Sequence, residues 1–292
     1  MRSEKRDKIQ MMIIMLCTLV FLVCVIHLIL YLNDSTRSTR QAKNMKREYI
    51  FVTEEQVAPD KNIESESGFI NATGEPVNRK VTIDGKEYPD FTGLDVPRRN
   101  IDFKSMQSEV NGDIYAWVYV PGTKVDYPVL QNATDDTYYL THDNYGDKAS
   151  CGSVYTEKHN CKDFNDNHNV LYGHNMKSGA MFKTLRNYDD KDFLFENKYI
   201  YIYTPEDTRV YEIYAAYAYT DEHLLETFNT ENRIGFQQYL DKVWDLGDGC
   251  GHFDRQMSVN SGDKIITLST CITGRDNNRY LVQGKLIAVE AN

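Results

Sequence analysis

The chain has 292 residues, 33 basic against 43 acidic, for a formal charge of −10 and a pI near 5.2. That balance excludes a protein that tracks nucleic-acid phosphates, which needs a basic face. A hydrophobic share of 41% excludes global disorder, 21 Tyr and 12 Phe against 7 Pro favour strands, and six Cys are too few for a disulfide scaffold.

The first element is an apolar run from Ile9 to Leu32 with no formal charge. At 1.5 Å per residue it reaches roughly 36 Å, enough to cross a bilayer with some tilt. It is longer than the core of a signal peptide, and no small-residue cleavage site follows. Basic residues flank both ends (Arg2, Lys5, Arg6 and Lys8; then Arg37, Arg40, Lys43, Lys46 and Arg47) and do not set the orientation by themselves. The long following segment favours residues 1–8 inside the cell, 9–32 in the membrane and the remainder outside. That remainder carries 29 basic and 41 acidic residues, a charge of −12. Residues 33–95 are polar and charge-mixed and read as an extracellular stalk, with residues 96–292 as the folded domain.

Within that domain Ile101, Phe103, Met106 and Val110 fit one face of a short helix. Strand-like runs follow at Tyr115–Val120, Val125–Gln131, Gly152–Tyr155, Asn169–Tyr172, Tyr199–Tyr203, Arg209–Tyr219, Lys264–Ser269 and Tyr280–Val289. Turn signals such as Pro121-Gly122 and Ser261-Gly262-Asp263 separate them. Helical pieces are expected at Asp136–Leu140, Ala180–Tyr188 and Asn232–Leu246, the last with Ile234, Phe236, Tyr239, Leu240, Val243 and Trp244 at helical spacing. Eight strands with few helices predict a mainly β fold closed into a barrel.

The chemistry concentrates at strand ends. Ile265-Ile266-Thr267-Leu268-Ser269-Thr270-Cys271 is an apolar strand ending on a thiol, and Arg279 opens the next strand, Tyr280-Leu281-Val282. Asn169-Val170-Leu171-Tyr172-Gly173 runs into His174. A thiolate attacks carbonyls, an imidazole shuttles the proton, and a guanidinium steadies an oxyanion. Each alone has a commoner reading: a small buried hydrophobe for Cys271, an ordinary loop imidazole for His174 and a surface ion pair for Arg279. Arg275 competes with Arg279, but Thr273-Gly274-Arg275-Asp276 reads as loop.

Thr267-Leu268-Ser269-Thr270-Cys271 followed by Arg279 resembles the Thr-Leu-x-Thr-Cys…Arg signature of sortases. Tyr172-Gly173-His174-Asn175-Met176 with Gly179-Ala180-Met181-Phe182 resembles the His segment of class B sortases. Trp117-Val118-Tyr119-Val120-Pro121-Gly122-Thr123, Asp126-Tyr127-Pro128-Val129 and Tyr138-Tyr139-Leu140-Thr141-His142-Asp143 resemble the same class. These motifs run from about residue 96 to the C-terminus, and the helix at Asn232–Leu246 fits class B.

The resemblance implies an eight-stranded barrel and a membrane-tethered cysteine transpeptidase. Such an enzyme cuts a C-terminal sorting signal (Asn-Pro-x-Thr-Asn or a near variant) on a secreted protein. It holds the product as a thioester and passes it to an amine of a peptidoglycan precursor. Carried over, Cys271 is the nucleophile, His174 the acid/base and Arg279 the oxyanion or substrate-carbonyl clamp. Ser269, Thr270 and Leu140 would line the substrate groove, and Asp136 stands where the family often carries Asn. A cysteine hydrolase that passes the thioester to water, and a non-catalytic envelope binding module, are the rival functions. No cofactor and no metal are expected. Cys250-Gly251-His252 with Cys161 or His168 lacks the paired spacing of a zinc site, and a Cys151–Cys161 bridge stays open.

Overall fold

The structure is a computed structural model and describes residues 2–51, 80–247 and 249–292. Helix α1 (Arg2–Ser35) is one unbroken helix. Within Gln10–Ser35 its most apolar stretch has a mean hydropathy of 3.1 and buries none of its residues, whereas Asp34 and Ser35 at the C-terminal end touch the domain. A helix satisfies its own backbone polar groups, so such a segment is able to cross hydrocarbon.

Helix α2 (Arg37–Tyr49) follows after one residue. It buries Ser38, Ala42, Met45 and Tyr49, which recur every three or four residues along one face. The Ser38 hydroxyl donates to the carbonyl of Gly152 and lies 3.3 Å from Cys151 Sγ. Arg37 pairs with Asp143 at 2.6 Å, and Asp143 is fully buried. At the helix junction Asp34 accepts from the backbone N–H of Ser150 at 3.0 Å, and Ser178 donates to the Ser35 carbonyl at 3.1 Å. Residues 33–51 therefore correct the expected stalk: they pack on the domain. Only one residue per turn of α2 is buried and two of the four are small, so a hydropathy reading sees a polar segment. The rest of that expectation, residues 52–79, lies outside the described residues.

The strands in chain order are β1 (Ile50–Phe51), β2 (Val81–Ile83), β3 (Lys86–Tyr88), β4 (Asn100–Ile101), β5 (Ile114–Tyr119), β6 (Asp126–Leu130), β7 (Val154–Tyr155), β8 (His168–Tyr172), β9 (Tyr199–Tyr203), β10 (Asp207–Thr220), β11 (Gly251–Phe253), β12 (Ile265–Ile272) and β13 (Arg275–Ala291). The sheet runs β9-β5-β6-β7-β8-β12-β13-β10, and β10 pairs back onto β9. Eight strands thus close the barrel the sequence predicts, with β11 attached to β10 outside the ring. Closure leaves these eight strands without an open edge. Two neighbouring pairs are parallel, β6–β7 and β8–β12, and the rest antiparallel. The short β1–β4 and β2–β3 pairs belong to separate ribbons. The Val81–Tyr88 hairpin also lies in the segment expected as stalk.

Trp117, Val118, Val129, Ile202, Val210, Ile266, Leu268 and Val282 are fully buried members of the main apolar core. Beside them the half-buried carboxylate of Asp126 accepts from Trp117 Nε1 and Arg99 Nη1, each at 2.6 Å, and from Lys46 of α2. Burial raises its pKa, but Arg99, Lys46 and Trp117 hold it below the usual carboxylate range. Helix α3 (Phe103–Glu109) is capped by Asp102, whose side chain accepts from Ser105 N, and the short helices α4 (Lys191–Glu196) and α5 (Leu224–Thr227) follow in the chain.

A second apolar cluster lies between the barrel and α6 (Arg233–Asp245). Asn232 caps this helix, and Phe236, Tyr239, Leu240 and Val243 form its buried stripe. Ile234, expected on that stripe, is 76% exposed. At 100° per residue it falls about 160° from Phe236, well off the 236/239/240/243 face. The expected helices at Asp136–Leu140 and Ala180–Tyr188 are 3-10 segments, Tyr138–Leu140 and Phe182–Asp189.

His168, at the start of β8, is buried with its Nε2 2.7 Å from Thr267 Oγ1 and its ring stacked on Tyr239. Burial lowers its pKa to about 3, so the folded protein keeps it neutral. The unfolded chain takes up the proton first, below its ordinary value near 6.5. The stabilisation is complete above that pH and is lost as pH falls from about 6.5 toward about 3. At about 1.4 kcal/mol per unit, His168 should cost roughly 2 kcal/mol between pH 6.5 and 5. Urea unfolding at pH 7 and pH 5 should show this loss in the wild type and a shallower one in His168→Gln.

Candidate active site

Cys271 is the penultimate residue of β12 and is exposed. Its partner across the β12–β13 ladder is Arg279. Directly opposed residues on an antiparallel pair carry their side chains on one face, with Cβ atoms about 5 Å apart. The connection is a tight turn at Thr273-Gly274, with Gly274 at φ +76°, and β13 already begins at Arg275. Arg275, expected in a loop, is thus a strand residue opposite Ile272. Of the two arginines, Arg279 lines the groove that holds Cys271.

His174 follows β8, which lies parallel to β12 on its other side. The backbone N–H of Gly173 continues that pairing to Ser269 O at 3.1 Å, so the His174 loop leaves the sheet beside the Cys271 end of β12. Gly173 packs against Phe182; a Cβ there would sit 2.8 Å from the ring. His174 Nε2 lies 2.8 Å from the carbonyl of Leu140. A carbonyl only accepts, so Nε2 carries the proton and Nδ1 is left to exchange one.

Gly152, at φ +56°, supports this arrangement. A Cβ on it would stand 2.5 Å from Tyr139 O, 2.8 Å from Leu140 O and 3.1 Å from the His174 ring. Its own carbonyl is held by Ser38 of α2. The segment that follows the apolar helix α1 thereby reaches the wall of the His174 site through one residue.

Cys271, His174, Arg279, Leu140, Ser269 and Thr270 all line one groove of about 230 Å³. The Thr270 hydroxyl is buried there without a protein partner. Sequence reasoning gave no role to Asn175, whose Nδ2 donates to Cys271 O at 2.7 Å and Thr273 Oγ1 at 3.2 Å. Its only sequence signal was its place beside His174. Asn175→Ala should loosen the end of β12 and lower kcat about tenfold while KM changes little; steady-state cleavage kinetics checks this. Glu157 and His223, which line the same groove, were missed as well.

The other cysteines have no shared geometry. Cys151 and Cys161 are free thiols, the first buried and the second exposed. His252 Nε2 donates to the Asp189 carbonyl at 2.8 Å, and His168 is engaged with Thr267. Asp136 accepts from the backbone N–H of Lys158 at 2.8 Å.

A sequence description of the sortase domain matches residues 118–287. The chain belongs to the sortase family.

Within the family it is a class B sortase, and sortases of this class are cysteine transpeptidases. It is 37% identical to sortase B of Listeria monocytogenes over 182 residues, 61% of this chain and 72% of that protein. The X-ray structure of Clostridium perfringens sortase B superposes with a TM-score of 0.56 at 30% identity, over 63% of this chain and 98% of that one. A Staphylococcus aureus sortase B–substrate complex gives 0.54 at 27% identity, over 64% and 84%.

Proposed function

We propose that this sortase B cleaves a C-terminal sorting signal of the Asn-Pro-x-Thr type and transfers the secreted protein to an amine of a peptidoglycan precursor. The observation that carries the reading is the convergence of Cys271, His174 and Arg279 on one groove. The Cys271 thiolate attacks the carbonyl carbon of the signal's Thr, and Arg279 donates to the oxygen as it takes up negative charge. His174 holds at Nδ1 the proton taken from the Cys271 thiol and gives it to the leaving amine as the C–N bond breaks, which leaves a thioester. The acceptor amine then attacks that thioester; His174 takes its proton and Cys271 leaves as thiolate. Ser269, Thr270 and Leu140 form the wall along which the signal lies. The substrate complex of the S. aureus relative supports this use of the groove.

Residues 1–8 lie inside the cell, 9–32 in the membrane and the catalytic domain outside. The working unit begins at residue 33 rather than 96, because α2 packs on the barrel.

The test is mass spectrometry on Asn-Pro-x-Thr peptides with and without a stem-peptide or oligoglycine amine. Amine-dependent conjugate is expected; hydrolysis alone in its presence would make the protein a cysteine hydrolase. Arg279→Lys should lose about 100-fold or more in kcat, because one ammonium cannot reproduce the planar fork. A near-normal rate would shift the role to Arg275.

A further inference from the structure

We propose that Glu157, His159 and His223 form a divalent-cation site at the mouth of the groove, of the class that takes Zn²⁺ or a similar first-row ion. The site stands apart from the residues given catalytic roles above. Glu157 lies two residues beyond β7 and His159 two further on, in the loop leading to β8. His223 comes from the loop after β10, where it caps helix α5 (Leu224–Thr227). Two loops on one side of the groove thus supply all three ligands.

One ligand atom from each residue lies within 4.8 Å of the others. Glu157 Oε2 is 2.7 Å from His223 Nε2 and 3.8 Å from His159 Nδ1. Bonds of about 2.0–2.2 Å in a tetrahedron place ligand atoms about 3.3–3.6 Å apart, so the three need adjustments of about 1 Å or less. His159 has its other nitrogen, Nε2, 3.9 Å from Glu226 Oε1. That carboxylate is placed to orient the ring, as an outer carboxylate does for a metal-bound imidazole. His159 is exposed, which leaves a side open for water as the fourth ligand. Two imidazoles with one carboxylate favour zinc, nickel, cobalt or copper over calcium and magnesium. Burial raises the Glu157 pKa against the opposing effect of His223, and a cation would offset the cost of that buried charge.

Binding has a consequence for the groove. His223 Nδ1 accepts the backbone N–H of Glu226 at 3.2 Å, so without metal the proton sits on Nε2 and is donated to Glu157. A metal needs the Nε2 lone pair. The proton then moves to Nδ1 by exchange with solvent, and Nδ1 no longer accepts from Glu226. Helix α5 loses its cap, and its Leu224 is part of the groove wall. The cation would therefore act on substrate access as well as occupy the rim.

The test uses the tag-free full chain in detergent, with Cys271→Ser as background so that the thiolate does not bind metal. Co²⁺ titration followed by visible absorption, and Zn²⁺ titration followed by calorimetry, should each show one equivalent bound. Affinity should fall at least about tenfold in His159→Ala and in His223→Ala, and stay unchanged in His174→Ala. His159 is exposed, so its variant should fold, and thermal unfolding without metal checks both. With Cys271 restored, Zn²⁺ should slow peptide cleavage reversibly with chelator, and His159→Ala should lose the part of that inhibition seen at the calorimetric affinity. No stoichiometric binding, or binding undiminished in both His159→Ala and His223→Ala, overturns the site; the cluster is then a hydrogen-bonded network alone. The binding arm does not depend on turnover, so it fails or succeeds independently of the transpeptidase reading.

Discussion

Cys271→Ala is expected to abolish both cleavage and transfer while leaving the barrel intact. The thiol is the only group in the groove able to form the thioester, so neither half-reaction survives its loss. In enzymes whose catalytic residues act as a unit, deletion of the nucleophile costs about 10⁶-fold in kcat. A fall of at least about 10⁴-fold is the expected result here. Stability should change little, because Cys271 is exposed at a strand end and its backbone pairing to Arg279 does not involve the side chain. Peptide cleavage, conjugate formation and urea unfolding measured on the same preparation check all three statements. Appreciable turnover by the variant would remove Cys271 from the mechanism, and a large loss of stability would make its effect on rate uninterpretable as chemistry.

The second large effect is expected from the N-terminal side of the barrel. A chain starting at residue 50 loses α2, and with it Arg37, Ser38, Ala42, Met45 and Lys46. Arg37 is the cation on the buried carboxylate of Asp143, and Lys46 is one of two on Asp126. Removing one partner of a buried pair typically costs about 3–5 kcal/mol, since the remaining charge stays buried. Arg37 is 34% exposed and Asp143 keeps backbone donors from Tyr145 and Asp147, at 3.0 Å each, which places the cost of this pair below that range. Loss of the Met45 and Tyr49 contacts adds to it. For a domain of this size 3 kcal/mol lowers the melting temperature by about 6–12 °C. A chain starting at residue 33 should keep full stability. Calorimetry of the two soluble forms decides between a working unit that begins at α2 and one that begins at residue 96. Activity of the shorter form should fall further than its stability explains, because Ser38 holds Gly152 and Gly152 packs against His174.

Much of the barrel was legible because strand signals are local. Apolar alternation and turn residues marked Tyr199–Tyr203 to the residue, and the eight expected runs are the eight strands of the closed ring. Departures occurred where tertiary contacts outweigh composition. Helix α2 is polar by residue count, and its burial depends on four positions meeting a surface formed by β6 and the 141–153 loop. Ile234 is apolar but sits at a helix start turned away from the core. Thr273-Gly274-Arg275-Asp276 looked like an extended loop; pairing with β12 made Arg275 and its neighbours part of β13.

The sequence by itself determined the candidate thiol, imidazole and guanidinium, the strand ends that carry them and the apolar segment able to cross a membrane. These follow from residue chemistry and short-range periodicity. Only the tertiary structure decided that Arg279 rather than Arg275 lines the groove with Cys271, that the Leu140 carbonyl fixes the His174 tautomer, and that Ser38 lies one residue from the His174 ring. Cross-strand register and the docking of a mostly polar helix depend on contacts between segments up to 114 residues apart, and no local window of sequence contains both partners.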